Sequence, residues 1–328
     1  MKRCLFFVIA LCSGLFGPLV SAAGPKPAEI SVGYFLQWPT PAQFAQIKKT
    51  FDYALELAVN WVPFDNGDAM NAALASGKLQ IGYAQGHVPF LVGVTRGLDL
   101  TMVGIAVGYP DNDNCILRHD AGINLNNASQ LEGKKVAVQA GSVSHYRLLR
   151  ILDHLRIDKS LVEIVATADG TATASALQRG EVVMACASGG ALRAISTLGT
   201  PLLSGAELAA IGLKLFDTVA VPTGFMNEHP EIVQAFMDVT EAANKQWQKN
   251  PDPMRAAIAR AAQMEQNSVN RTLEGFTFPS AEEQKSDDWM GAMVSAYSKD
   301  LADFFVAQGK LSKALESYDR FVTTRFLR

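Results

Sequence analysis

Apolar residues along this chain follow two alternating patterns. Short runs such as Ile30-Ser31-Val32-Gly33-Tyr34 and Val136-Ala137-Val138 have the length and β-branched content of buried strands. Between such runs lie segments with apolar residues at i, i+3 and i+4, the spacing of one helix face. The whole pattern then repeats. Residues 59–86 overlay residues 162–189 without a gap, at a constant offset of 103. Val59, Gly67, Ala73, Leu74, Gly77 and Gly86 recur as Val162, Gly170, Ala176, Leu177, Gly180 and Gly189. Each copy reads as a strand, a Gly-containing turn, a helix, a glycine stop and a second strand, which together make a right-handed crossover unit.

The repeat extends backwards, because each copy comes after another strand, loop and helix. Residues 30–34 lead through a loop at 35–41 into a helix carrying Phe44, Ile47 and Phe51. Residues 136–138 lead through 139–144 into a helix carrying Tyr146, Leu149 and Leu152. The fold class is therefore α/β, with two lobes in succession. Residues 114–118 cross from the first lobe to the second, and the strand-like stretch Phe216-Asp217-Thr218-Val219-Ala220-Val221 returns. The chain beyond this stretch reads as helical, with starts at His229-Pro230 and Pro253 and a long amphipathic helix over 281–308. No further strand-rich unit remains for these helices, so they are expected to pack on an existing lobe. The predicted layout is discontinuous, with residues 28–113 and 218–328 in one lobe and 114–217 in the other. Open α/β sheets bind ligands beyond the carboxyl ends of their strands, and two such edges face to face make a cleft.

The amino terminus adds a destination. Lys2-Arg3, an apolar run over 4–20 and the small residues 21–24 read as a cleavable export signal covering residues 1–23. Gly17-Pro18 shortens the run below the ~20 residues of a membrane span. Leu11 before Cys12 and Arg3 before Cys4 do not fit a lipoprotein start, so a soluble periplasmic protein is expected. Without Lys2 and Arg3 the 29 basic residues become 27 against 32 acidic, a balance near −5 that excludes nucleic acid as a partner. Two cysteines remain, Cys115 and Cys186. An oxidising compartment permits a bridge, but both lie in apolar strand-like runs where buried free thiols are equally at home.

The candidate chemistry is that of binding. Gln85-Gly86-His87 and Ser142-Val143-Ser144-His145 both precede or open helices, whose unpaired amides and dipoles suit an anion. Each also has a plain reading as an N-cap. Asp113 and Asn114 lie in an acidic turn at the first crossing, and Tyr34, Gln37 and Trp38 lie on the first loop, where an aromatic wall would form. His87 and His145 have no nucleophile elbow, metal-ligand spacing or phosphate loop around them, so neither an enzyme, a metal nor a cofactor is expected.

Several segments carry a family likeness. Phe64-Asp65-Asn66-Gly67 with Ala73-Leu74-Ala75-Ser76-Gly77-Lys78-Leu79, then Leu131-Glu132-Gly133-Lys134-Lys135-Val136, Ser144-His145-Tyr146 and Phe304-Phe305-Val306-Ala307-Gln308-Gly309 come in the family's order and spacing. The chain resembles the periplasmic binding proteins of the nitrate, sulfonate and taurine ABC-importer family, and the taurine-binding members most. The resemblance implies a type II periplasmic binding protein, monomeric, that closes on a small anionic or zwitterionic solute and docks on an ABC permease in the inner membrane. It implies taurine or a related aminosulfonate as ligand. It also implies that Asp217 takes the ligand's ammonium, with Asp65 and Ser188 among the contacts. The same scaffold would suit an alkane or aromatic sulfonate, nitrate, an aminophosphonate or a pyrimidine precursor, and enzymes on this fold are a remoter alternative. One departure stands out: where taurine-type members carry a Trp-containing turn, this chain has Cys186-Ala187-Ser188-Gly189-Gly190. One cleft wall must then come from elsewhere.

Overall fold

The computed structural model describes residues 25–328, so the expected export signal lies outside the described residues. Ten strands are present among them: β1 (Glu29–Tyr34), β2 (Ala58–Pro63), β3 (Ile81–Gly86), β4 (Leu100–Gly108), β5 (Asp113–Arg118), β6 (Lys135–Gln139), β7 (Glu163–Thr167), β8 (Met184–Ser188), β9 (Gly199–Pro201) and β10 (Phe216–Pro222). They form two five-stranded sheets, in the orders β2-β1-β3-β10-β4 and β7-β6-β8-β5-β9. The orders are the same once each strand is replaced by its repeat partner. In the first sheet β1 runs parallel to β2 and β3, and β10 lies antiparallel between β3 and β4. In the second, β6 runs parallel to β7 and β8, and β5 is antiparallel to β8 and β9. Each sheet thus contains one strand that the chain lays down at a crossing.

The repeat has a physical basis at both ends of its helix. Helices Gly67–Ala75 and Gly170–Gln178 start where the side chains of Asn66 and Asp169 accept from the amides of Ala69 and Ala172, at 2.9 and 2.8 Å. They stop at Gly77 and Gly180, whose φ angles of 73° and 72° belong to the left-handed region that glycine enters freely. A Cβ on Gly77 meets nothing within 4 Å, whereas one on Gly180 falls 2.5 Å from Nη1 of Arg118. Gly77→Ala should therefore cost about 1–2 kcal/mol from backbone strain alone. Gly180→Ala should cost more, because the guanidinium must also move. Urea unfolding of the two variants checks the difference, and equal losses would remove the Arg118 contribution.

The C-terminal helices pack on the first lobe, with Pro230–Lys249 and Asp252–Ala262 lying against helix Pro41–Ile47. Phe236 stacks on Phe51 there, 4.8 Å between ring centroids. The expected continuous helix over 281–308 is instead two helices, Ala281–Lys285 and Met293–Ala307. The chain folds tightly back at Gly291, where a Cβ would meet the carbonyl of Lys285 and the backbone of Ser286 at 2.8 Å. An amphipathic period continues through such a turn, so periodicity alone does not reveal it. The two cysteines are bonded, Cys115 to Cys186, with S–S 2.02 Å. They face each other across the β5–β8 ladder, which fastens the crossing strand into the second sheet. Among the described residues no helix is long and apolar enough to cross a membrane.

Candidate functional site

Asp217 is brought to the edge of the first sheet by irregular pairing on both sides of β10. Opposite β3 the register skips Ala84, between the partners of Thr218 and Val219, and opposite β4 it skips Ala106, between the partners of Asp217 and Thr218, and then Val103. Such bulges bend a strand and re-aim its side chains. Ala84 takes φ 57°, a left-handed conformation that costs a non-glycine residue about 1–3 kcal/mol. The result pairs Asp217 with Gly86 at the carboxyl end of β3. A Cβ on Gly86 would stand only 3.7 Å from Oδ1 of Asp217, so glycine lets the carboxyl lie close to the backbone. The Tyr109 hydroxyl donates to that oxygen at 2.7 Å. The indole N–H of Trp38 lies beside the same carboxyl without the geometry of a full hydrogen bond. Asp217 is 5% exposed and has no ion-pair partner among the described residues. Burial pushes its pKa up to about 7, against the opposing pull of Tyr109 and Trp38.

The second lobe presents a carboxylate of a different kind. Asp113, at the start of β5, accepts from the Ser144 hydroxyl at 2.6 Å and lies 3.4 Å from Nε of Arg147. Arg147 is 1% exposed and also donates from Nη1 to the carbonyl of Leu213, 2.9 Å away, on the returning segment. Burial raises the pKa of Asp113, while Arg147 and Ser144 hold it down. Asp113 therefore has its countercharge within the protein, and Asp217 does not.

Between the lobes lies a cavity of about 250 Å³, with Gly86, His87, Tyr109, Asp113, Ser188 and Tyr297 on its wall. Ligand pockets commonly run from about 300 to 1,000 Å³, so this one suits a small solute. His87 is held between Phe216 and Tyr297, with ring centroids 4.7 and 5.2 Å away, and its Nε2 pairs with the Ser298 hydroxyl at 2.8 Å. Burial lowers its pKa to about 3, so it is neutral and serves as an aromatic surface. Helix His87–Thr95 begins at Gly86 without a side-chain cap, which leaves the amides of His87 and Val88 to an acceptor in the cavity, Pro89 having none. Lys214 borders the cavity, its ammonium 4.3 Å from the Trp289 ring centroid and donating to the carbonyl of Asp288. A larger space of about 650 Å³ shares Val88, Pro89 and Val143 with the cavity and reaches Ser142, Arg96 and Lys310.

Of the residues expected from the sequence, Gly86, His87, Asp113 and Ser188 line the cavity. Ser144 and Trp38 stand behind it, Ser144 on Asp113 and Trp38 against Tyr109 at 5.5 Å. Ser142 borders the larger space but spends its side chain on capping its helix, accepting from His145 N at 3.1 Å. His145 accepts from Gly141 N, and its ring packs edge-on against Phe304. The others do not line the cavity; Asp217 stands one layer back, behind Tyr109 and Gly86. Tyr34 packs in the first lobe against Trp61, Gln85 donates to Asn71, and Asn114 donates to the carbonyl of Leu203. Gln37 and Asp65 are exposed on the outer loops. The aromatic wall thus comes from Tyr109, Phe216 and Tyr297 and not from the first loop. Tyr109 had a signal in the acidic turn just after it; Tyr297, on a C-terminal helix, had none.

Two α/β lobes of one topology, closed around a small cleft at their strand edges, define a two-lobed binding fold. The family described as NMT1/THI5 like matches residues 48–254, and the chain belongs to it. It is 28% identical over 293 residues to the taurine-binding periplasmic protein of Escherichia coli (strain K12), covering 88% of this chain and 89% of that one. The structure of the periplasmic aliphatic sulphonate binding protein SsuA from Escherichia coli superposes with a TM-score of 0.67 at 20% identity, over 90% of this chain and 96% of that one. The desulfurization enzyme DSZB shares the fold at TM-score 0.59 and 14% identity, over 92% and 98% of the two chains.

Proposed function

We propose that this protein is the periplasmic solute-binding component of an ABC importer and that it captures taurine or a related aminosulfonate between its lobes. One observation carries the reading: a buried carboxyl, Asp217, without an internal cation, beside a small cavity bordered by uncapped helix amides and free hydroxyls. An uncompensated buried carboxyl is costly, and a ligand ammonium would relieve that cost. A sulfonate offers three acceptor oxygens and no donor, which the amides of His87 and Val88 and the Ser188 hydroxyl would meet. The names of the relatives support the same solute class. The fold also supports an enzyme, but here Ser298, the hydroxyl paired with the neutral cavity histidine, is buried at 2% exposure and gives its proton to the carbonyl of Val294, so the pair is not arranged as base and nucleophile. The role is binding without turnover.

Calorimetry on ligand-stripped protein tests this directly. Taurine should bind and raise the melting temperature as its concentration passes Kd. Absence of both heat and thermal shift with taurine, hypotaurine and ethanesulfonate would remove the sulfonate assignment.

A further inference from the structure

We infer that Tyr297 donates its hydroxyl to the anionic group of the ligand and so sets the selectivity of the cleft for the sulfonate end. This rests on the reading of the cavity as an aminosulfonate site and adds a contact from a helix outside both repeats.

Tyr297 is 5% exposed and lines the cavity, and its hydroxyl has no hydrogen-bond partner among the described residues. The other cavity tyrosine is already engaged, since Tyr109 gives its proton to Asp217. A hydroxyl on the cavity wall without a protein partner keeps its proton for whatever fills the cavity, and a ligand acceptor can take the place of water there. The ring itself is fixed from both lobes. It stacks on His87 of the first lobe at 5.2 Å and packs on Tyr146 of the second at 5.9 Å. One turn further along the same helix, Asp300 pairs with Arg150 of the second lobe at 2.8 Å. Both lobes must be together for these contacts to exist, so the hydroxyl is placed only in the closed cleft.

The charges around the hydroxyl select which end of a zwitterion it meets. Arg147 and Arg150 both favour negative charge at Tyr297, and Asp113, paired with Arg147 at 3.4 Å, opposes them. Asp217 lies at the Tyr109 side, where an ammonium belongs. The anionic group is left for Tyr297.

Tyr297→Phe removes the hydroxyl and keeps the ring, and because that hydroxyl has no protein partner the ligand-free melting temperature should stay at the wild-type value. Calorimetric Kd values for taurine and for amine-free ethanesulfonate should both rise, by roughly tenfold or more. A loss confined to taurine would overturn the assignment to the anionic end. Binding of both ligands within about twofold of wild type would overturn the contact altogether. In either case wild-type binding stands and the aminosulfonate reading survives. If the wild-type protein binds neither ligand, that reading fails and takes this one with it.

Discussion

Asp217→Asn should weaken taurine binding by about 100-fold and leave ethanesulfonate within a few-fold of wild type, because only the charge facing the amine is removed. The same variant should be more stable than wild type when empty. In the folded protein Asp217 holds its proton to about pH 7, whereas in the unfolded chain it ionises near 4. Between those values the folded state binds more protons, so this group lowers stability by about 1.4 kcal/mol for each unit that pH rises. Above pH 7 both states are ionised and the penalty stays constant. The stability difference between variant and wild type should therefore be small near pH 4 and grow to roughly 2–4 kcal/mol by pH 8. Urea unfolding at several pH values tracks it, and a difference independent of pH would show that Asp217 is not the buried acid described. Ligand binding should mirror the effect. At pH 6 an arriving ammonium ionises Asp217, and a proton leaves; at pH 8 none does. Calorimetry in buffers of different ionisation enthalpy measures that proton directly.

Arg147→Met is expected to destabilise the protein by about 3–5 kcal/mol, the cost of stranding one member of a buried pair. Arg147 is 1% exposed, and Asp113 has no other ion-pair partner among the described residues. Without Arg147, burial raises the Asp113 pKa without that countercharge. The loss should then be larger at pH 8 than at pH 5, since low pH protonates the stranded acid in the folded state. Adding Asp113→Asn should recover most of the stability, because a neutral amide tolerates burial that a carboxylate does not. The double variant also separates the acids. It should retain amine selectivity if Asp217 supplies it, and lose it if Asp113 does. Circular dichroism and urea titration of the three proteins suffice for the stability comparison.

The architecture was written in the chain because its determinants are local. Gly77 and Gly180 end helices through a backbone conformation that glycine adopts freely, and Asn66 and Asp169 start them through a bond to an amide three residues on. Local rules of this kind repeat whenever the sequence repeats, so an offset of 103 residues was enough to foretell two similar α/β lobes, and the structure adds that their sheets share one strand order. The apolar run at 216–221 likewise announced a buried strand returning between lobes. What the pattern did not carry was the break at Gly291, a close approach of backbone to backbone that leaves periodicity intact.

The site was legible only in part. Gly86, His87, Asp113 and Ser188 were within reach because they sit at strand ends, where topology alone directs a residue to the cleft. Asp217 was named by the family resemblance, but its distinction from Asp113 rests on the position of Arg147 and on the register shifts along β10 that no spacing announces. The pairing of Cys115 with Cys186 depended on β5 lying beside β8 in one register. Tyr297 belongs to a helix whose apolar face reads as ordinary core packing. The sequence by itself determined two lobes and the edges where they meet, because strand ends and helix caps are short-range choices. Tertiary structure alone decided which acid lacks a countercharge and which hydroxyl lacks a partner, because both depend on residues distant in the chain arriving, or failing to arrive, within a few ångströms.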